Sequence, residues 1–438
     1  MIITEHPMRR LLNDELHARK FNDFEGTGRF IRFVYFTQGD DRLLLAEINA
    51  LLAQWSLREM QADEKFIRLE AGHFAVRVER HTEFMSLSLI DGDAKKQKGL
   101  SQTAFDESAY SHLPFAEIKQ IKHPIFHAMW LEICQAKNAK PSADEMEARL
   151  QGRSVAGDMI SAGGAQLYAS FDIDSDGYSR MALMNMSVAS YRMGRVIQRI
   201  IEMETYRLMA LLSLPKVKYH APALDRAEDE LRQSTAMLAK AQRDETAMQD
   251  VEQADALLRQ LTGLAADIEQ IYSETSYRFS ASLAYQDIVN ARIASLKTSR
   301  LDGFQSIGGF LAKRMSPAIQ SVSAFSRRIE HLSKRISRAG QLQRSQTELA
   351  LQKQNRDLLT SMNKRTYAQL RLQQTVEGLS LAALTYYGVG LVGYLAEGVS
   401  WGVSASFVKA MAVPVVAGLV YVTIRRIKRG LAQETSQD

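Results

Sequence analysis

Residues 376–395, VEGLSLAALTYYGVGLVGYL, and residues 407–424, FVKAMAVPVVAGLVYVTI, decide how this chain is read. Each run approaches the length needed to cross a bilayer, about 20 residues at ~1.5 Å rise per residue. Their charged groups, Glu377 and Lys409, lie near the ends. Arg425, Arg426, Lys428 and Arg429 follow the second run directly, and Arg371 precedes the first. The connector carries Glu397 but no Lys or Arg before Lys409. Cytoplasmic flanks collect Lys and Arg, so the pair reads as a two-helix transmembrane hairpin over 376–424 with both ends cytoplasmic. A basic cytoplasmic tail, 425–438, completes it.

Working back from the spans, residues 301–375 hold 13 Lys and Arg against 4 Asp and Glu, whereas 216–300 are slightly acidic at 11 against 13. Opposite biases favour two helices, about 223–298 and 317–373, that fold back on each other. Leu224, Leu231 and Leu238 fall at heptad spacing, and Leu257, Leu261, Leu264, Ile268 and Ile271 extend an apolar seam. That pattern predicts an antiparallel coiled-coil hairpin over 216–375. Its basic strand leads into the first span, where anionic headgroups are natural partners.

Residues 1–215 read as an α+β cytoplasmic domain. Residues 7–19 place Leu11, Leu12 and Leu16 at helical spacing, 29–37 are rich in β-branched and aromatic residues, and 41–55 return to helical period. Phe74, Val76 and Val78 alternate with Arg77 and Glu79, which predicts a half-buried strand running on toward Ile90. Ser142 with Glu145 is a capping box for a helix over 143–150. Strands over 166–173 and 178–186 flank the turn at Asp174 to Gly177. A helix over 189–212 closes the domain, with Pro215 ending it.

The chemical motifs are weak. Gly388, Gly390 and Gly393 match G-x-G-x-x-G, yet they lie inside an apolar span with no preceding strand, so they read as a packing face between transmembrane helices. Asp172, Asp174, Asp176 and Gly177 imitate an EF-hand start, but the twelfth position is Leu183, which supplies no bidentate acid. His81 and Glu83 share one face of a predicted strand. A metal would require three or four converging ligands, drawn from His73, His81, Glu83, His123 and His127. Cys134 lies among apolar neighbours and reads as a buried thiol. With no visible catalytic constellation the chain is not expected to be an enzyme, and no cofactor or nucleic acid is expected.

Several stretches resemble the bacterial domain-of-unknown-function 3422 family of membrane-anchored proteins. They are residues 6–19 (HPMRRLLNDELHAR), 79–84 (ERHTEF), 204–207 (ETYR), 354–359 (QNRDLL) and 370–380 (LRLQQTVEGLS), with Tyr386, Tyr387, Gly393 and Tyr394 following. Lys20 stands where the family typically has Pro. The resemblance implies an uncharacterised membrane-anchored protein and gives no activity. It draws attention to His17, Arg19, His81, Glu83 and Arg207, polar residues in the shared motifs that read as a hydrogen-bond network or a common ligand site.

The function expected is a scaffold or interaction protein anchored in the bacterial inner membrane, self-associating or binding a protein partner through its helical hairpin. The alternative is an oligomeric cation channel, because the element order resembles the two-span magnesium transporters. Their Gly-Met-Asn motif after the first span is missing; residues 393–397, GYLAE, stand there. A tethered enzyme or metal-binding domain built on His81 and Glu83 is a third reading.

Overall fold

In the computed structural model, residues 6, 8–10, 23–93, 99–136, 140–243, 251–398 and 404–434 are described. His17, Arg19 and most of the helix expected over 7–19 fall outside them. The alternating and β-branched stretches assemble one nine-stranded sheet, ordered β2-β3-β4-β1-β5-β8-β7-β6-β9. Its members are β1 (Thr27–Phe36), β2 (Phe66–Ala71), β3 (Phe74–Arg80), β4 (Phe84–Asp93), β5 (Ile125–Gln135), β6 (Val155–Ile160), β7 (Ala165–Ser170), β8 (Tyr178–Asn185) and β9 (Ser299–Arg300). Every neighbouring pair is antiparallel except β5 and β8.

Both faces of the sheet are covered. One face sets Ile31, Phe33, Tyr35, Val78, Leu87 and Trp130 against α1 (Arg42–Gln54) and α2 (Ala143–Leu150). The other sets Phe30, Met129, Leu131 and Leu183 against α3 (Ser190–Leu211), and against the end of α5 (Val251–Ser295) and the start of α6 (Ile307–Glu397). Ser142 caps α2 as its sequence predicts, its hydroxyl accepting the Glu145 backbone N–H at 3.2 Å. The Asp174 carboxylate shapes the β7–β8 turn by accepting the Asp176 and Tyr178 backbone N–H groups at 2.8 and 2.9 Å.

The sheet unit does not end at residue 215. Val289, Leu296, Ile307, Phe310 and Leu311 belong to its core, and β9 forms its edge, so the unit takes in residues 260–338 as well. Pro215 does not stop the chain either. It falls in the first turn of α4 (Ser213–Arg243), where a missing backbone N–H costs little because it has no intrahelical acceptor. The single helix expected over 223–298 is two, α4 and α5. Leu224, Leu231, Leu264, Ile268, Phe325 and Ile329 are all buried on these helices and α6. Arg328 clamps α6 to α4 through Glu228 at 2.9 and 3.0 Å and Asp225 at 2.6 Å.

A second compact unit comprises residues 236–259 and 339–438. It contains the distal part of α6 and α7 (Ala405–Glu434). These two helices are long and apolar enough to cross a membrane, and only 6% of each apolar window is buried. Low burial separates them from the core helix of a soluble domain. A Cβ at Gly388 would lie 2.6 Å from Val416 Cγ1, so this glycine lets α7 approach. At Gly393 it would meet the Lys409 side chain. Gly390 departs from the expected packing face, since nothing lies within 4 Å of its Cβ position.

Candidate functional site

Register places polar side chains in two rows on the α3-facing side of the sheet. Arg77 on β3, Ser88 on β4 and Arg32 on β1 are cross-strand partners, and so are Glu79, Ser86 and Val34 in the next row, with His127 on β5 opposite Val34. The serines are small, so the long side chains on either side reach over them. Glu79 receives Arg32 Nη1 at 2.6 Å and Arg77 Nη2 at 2.8 Å. All three residues are at most 4% exposed. Burial alone would push the Glu79 carboxyl up, but the two guanidinium groups outweigh it and hold the carboxylate well below its usual range.

This overturns the half-buried reading of β3. Arg77 and Glu79 face a covered side of the sheet, not solvent. The alternation of apolar and charged residues was legible; the helix layer above it was not.

His81, Thr82 and Glu83 form the turn between β3 and β4, so His81 and Glu83 are not strand neighbours sharing a face. The chain reverses there because the two strands are a hairpin rather than one long element. The His81 side chain still meets the shared 204–207 motif. His81 stacks on Phe84 at 4.0 Å and meets Tyr206 edge-on at 6.4 Å, while Tyr206 stacks on Tyr285 of α5 at 5.4 Å. The Glu83 carboxylate accepts from both terminal nitrogens of Arg278, one at 3.1 Å, and from the Tyr285 hydroxyl at 2.6 Å. Burial and this carboxylate raise the Tyr285 hydroxyl well above its ordinary value. Glu83 and Arg278 are 3% and 8% exposed, so the pair ties the β3–β4 turn to α5 in a desolvated setting.

Arg207 forms a two-pronged ion pair with Glu204 one turn earlier on α3, at 2.7 and 2.8 Å. Glu204 also lies 3.6 Å from His127 Nε2. Burial lowers the imidazole to about 4, so His127 is neutral in the folded state. Arg207 stacks over Phe171.

His81 and Glu83 thus meet at Tyr206 and Tyr285, where the β3–β4 turn joins α3 and α5, whereas Arg207, the residue after Tyr206, pairs with Glu204 and lies over Phe171. Sequence reasoning considered His127 only as a metal ligand, quoted Glu79 and Glu204 within the shared motifs but not as site residues, and missed Arg32, Arg77 and Arg278. Their signal was present only as ordinary strand and helix charge, which does not reveal which side a later helix covers. The region is closed rather than cleft-like, and its carboxylates are already engaged by guanidinium or hydroxyl donors. Among the described residues no group of three or more His, Cys, Asp or Glu is placed to hold a metal ion. Chemically, the arrangement fixes strand register and helix docking.

A family model described as a protein of unknown function, DUF3422, matches residues 4–431. Curated proteins searched with this sequence return no match.

Proposed function

This chain belongs to the DUF3422 family of proteins of unknown function, and from that premise we propose that it is a membrane-anchored scaffold or interaction protein. The observation that carries this reading is α6, which continues without interruption from the buried Phe310 and Leu311 into the exposed apolar stretch ending at Glu397. A helix continuous from a packed domain into a membrane-length apolar run is a tether. In this reading α4, α5 and α6 make a coiled-coil hairpin that presents partner surface, and α6 and α7 insert as a two-helix hairpin.

The compartment is the bacterial inner membrane, with both ends cytoplasmic, because Lys and Arg flank both outer ends of the spans. Arg371, Arg425 and Arg426, with Lys428 and Arg429 next in sequence, meet anionic headgroups, at about 1 kcal/mol for each well-placed cation. An open groove of about 410 Å³ between α4 and α5, lined by Tyr219, His220, Arg226, Glu230, Asp267 and Glu274, offers a mixed polar and aromatic surface to a protein partner. Cation conduction has less support, because residues 393–397 provide no Gly-Met-Asn element to select an ion.

Membrane fractionation tests the anchor. The full chain is expected in the pellet after alkaline carbonate washing, and a chain lacking residues 376–424 in the supernatant. Full-length protein released by carbonate would overturn the anchored reading.

A further inference from the structure

Beyond Gln343, which is 4% exposed, no residue of α6 is buried until Gly393, and every residue from 351 to 376 is exposed. Nevertheless, the sequence of this bare segment is organised for contact. Leu351, Leu358, Leu372 and Leu379 fall on one seven-residue track, interrupted by Arg365. Asn355, Met362, Gln369 and Val376 fall on a second track, four residues after each member of the first. Spacing of four then three residues is the heptad seam, with leucines at d and Asn355, Met362, Gln369 and Val376 at a.

Charge is sorted by the same period. Between residues 349 and 379 the charged groups are Lys353, Arg356, Asp357, Lys364, Arg365, Arg371 and Glu377. In this frame six of the seven occupy b, c or f, the outward positions, and only Arg365 enters the seam. The flanking e and g positions, Gln352, Gln354, Leu359, Ser361, Thr366, Ala368, Gln373 and Thr375, carry no charge. A solitary solvated helix has no reason to keep one face neutral over four heptads.

We propose that residues 351–379 form a parallel two-stranded coiled coil with a second copy of this chain. Leucine at d with an asparagine at a single a position is the arrangement that specifies two strands and one register, the two Asn355 side chains pairing across the axis. The seam has no acidic row to receive a basic partner, so an identical neutral face is the matching surface. The parallel sense rests on the anchored reading, because two copies inserted in one membrane enter it in the same direction.

Cysteine cross-linking of the full chain in its native membranes tests this. The one native thiol, Cys134, is buried, and burial pushes it up to about 12, so it stays silent. Copper-catalysed oxidation is expected to give dimers for Leu358→Cys and for Leu372→Cys, and only background for Asp357→Cys and Arg371→Cys. These side chains are exposed in the single chain, so the variants leave its fold intact. Adding Arg365→Leu to Leu358→Cys is expected to raise the dimer fraction. Positions 358 and 372 are about 21 Å apart along the helix, and an antiparallel pair cannot join both to themselves. Bands at only one of them, equal bands at all four, or none, would overturn the proposal. Dimers in a carbonate-soluble protein would retain the coil and discard the anchor; a membrane-bound protein without dimers would do the reverse.

Discussion

Glu83 shows how one side chain determines where a distant helix lies. Its carboxylate is the shared acceptor for Arg278 and Tyr285, both on α5 and about two hundred residues away in sequence. A buried pair contributes little net stability, yet removing one partner leaves the other charged and desolvated, at a cost of about 3–5 kcal/mol. Glu83→Gln is therefore expected to destabilise the sheet unit by about 3 kcal/mol, read by denaturant unfolding in detergent. Changing Glu83 to Gln and Arg278 to Met together should recover most of that loss; an unaffected single variant would show that the pair does not hold α5. His127 makes a pH prediction. Its imidazole has an ordinary value of 6.5 and is lowered to about 4 by burial in the fold. The unfolded chain therefore binds the proton first, and the contribution is complete above pH 6.5 and is lost as pH falls toward 4. The span corresponds to about 3 kcal/mol. His127→Gln is expected to flatten that part of the stability profile relative to the parent chain. The family resemblance pointed to His81, Glu83 and Arg207, and the fold gives each a partner in Phe84, Arg278 and Glu204. Arg32 and Arg77 carried no such signal, because a charged residue alternating along a strand normally faces water.

Among the elements, those with local causes were readable. The helix Ala143–Leu150 has its cap in Ser142, and the β7–β8 turn has its acceptor in Asp174, so a few neighbouring residues suffice to specify each. Strands β2, β6 and β9 were missed because their pairing partners, not their own composition, make them strands. β9 is only two residues, held by β6. The α6 and α7 glycines separate by the same logic. All three looked equivalent as small residues in an apolar run, yet Gly388 lies against Val416 and Gly390 against nothing. Gly388→Val is expected to push α7 away and lower the temperature at which the protein aggregates in detergent by several degrees. Gly390→Val, with the same change in volume and propensity, should leave that temperature unchanged. Equal effects would show that helix propensity, not close approach, is what these glycines serve.

At the scale of the molecule, the sequence alone determined that two apolar runs end the chain, that basic residues flank them, and that charge falls unevenly over the helices before them. These are properties of composition and period, which depend on no contact. It also determined that an α/β region precedes the helices, because alternating and helical periods differ along the strand and helix axes. The carbonate experiment tests the function drawn from that pattern as a whole. Tertiary structure decided the rest. It carried the ends of α5 and α6 back onto the sheet, so the unit begun by the first strands is completed by residues more than a hundred positions later. It turned the charges of β3 inward, and it gathered His81 and Glu83 around the Tyr206 and Tyr285 pair while setting Arg207 against Glu204. The physical reason is that a side chain's environment is set by what covers it. A local pattern shows which residues share a face, whereas only long-range packing determines whether that face meets water, a helix or lipid.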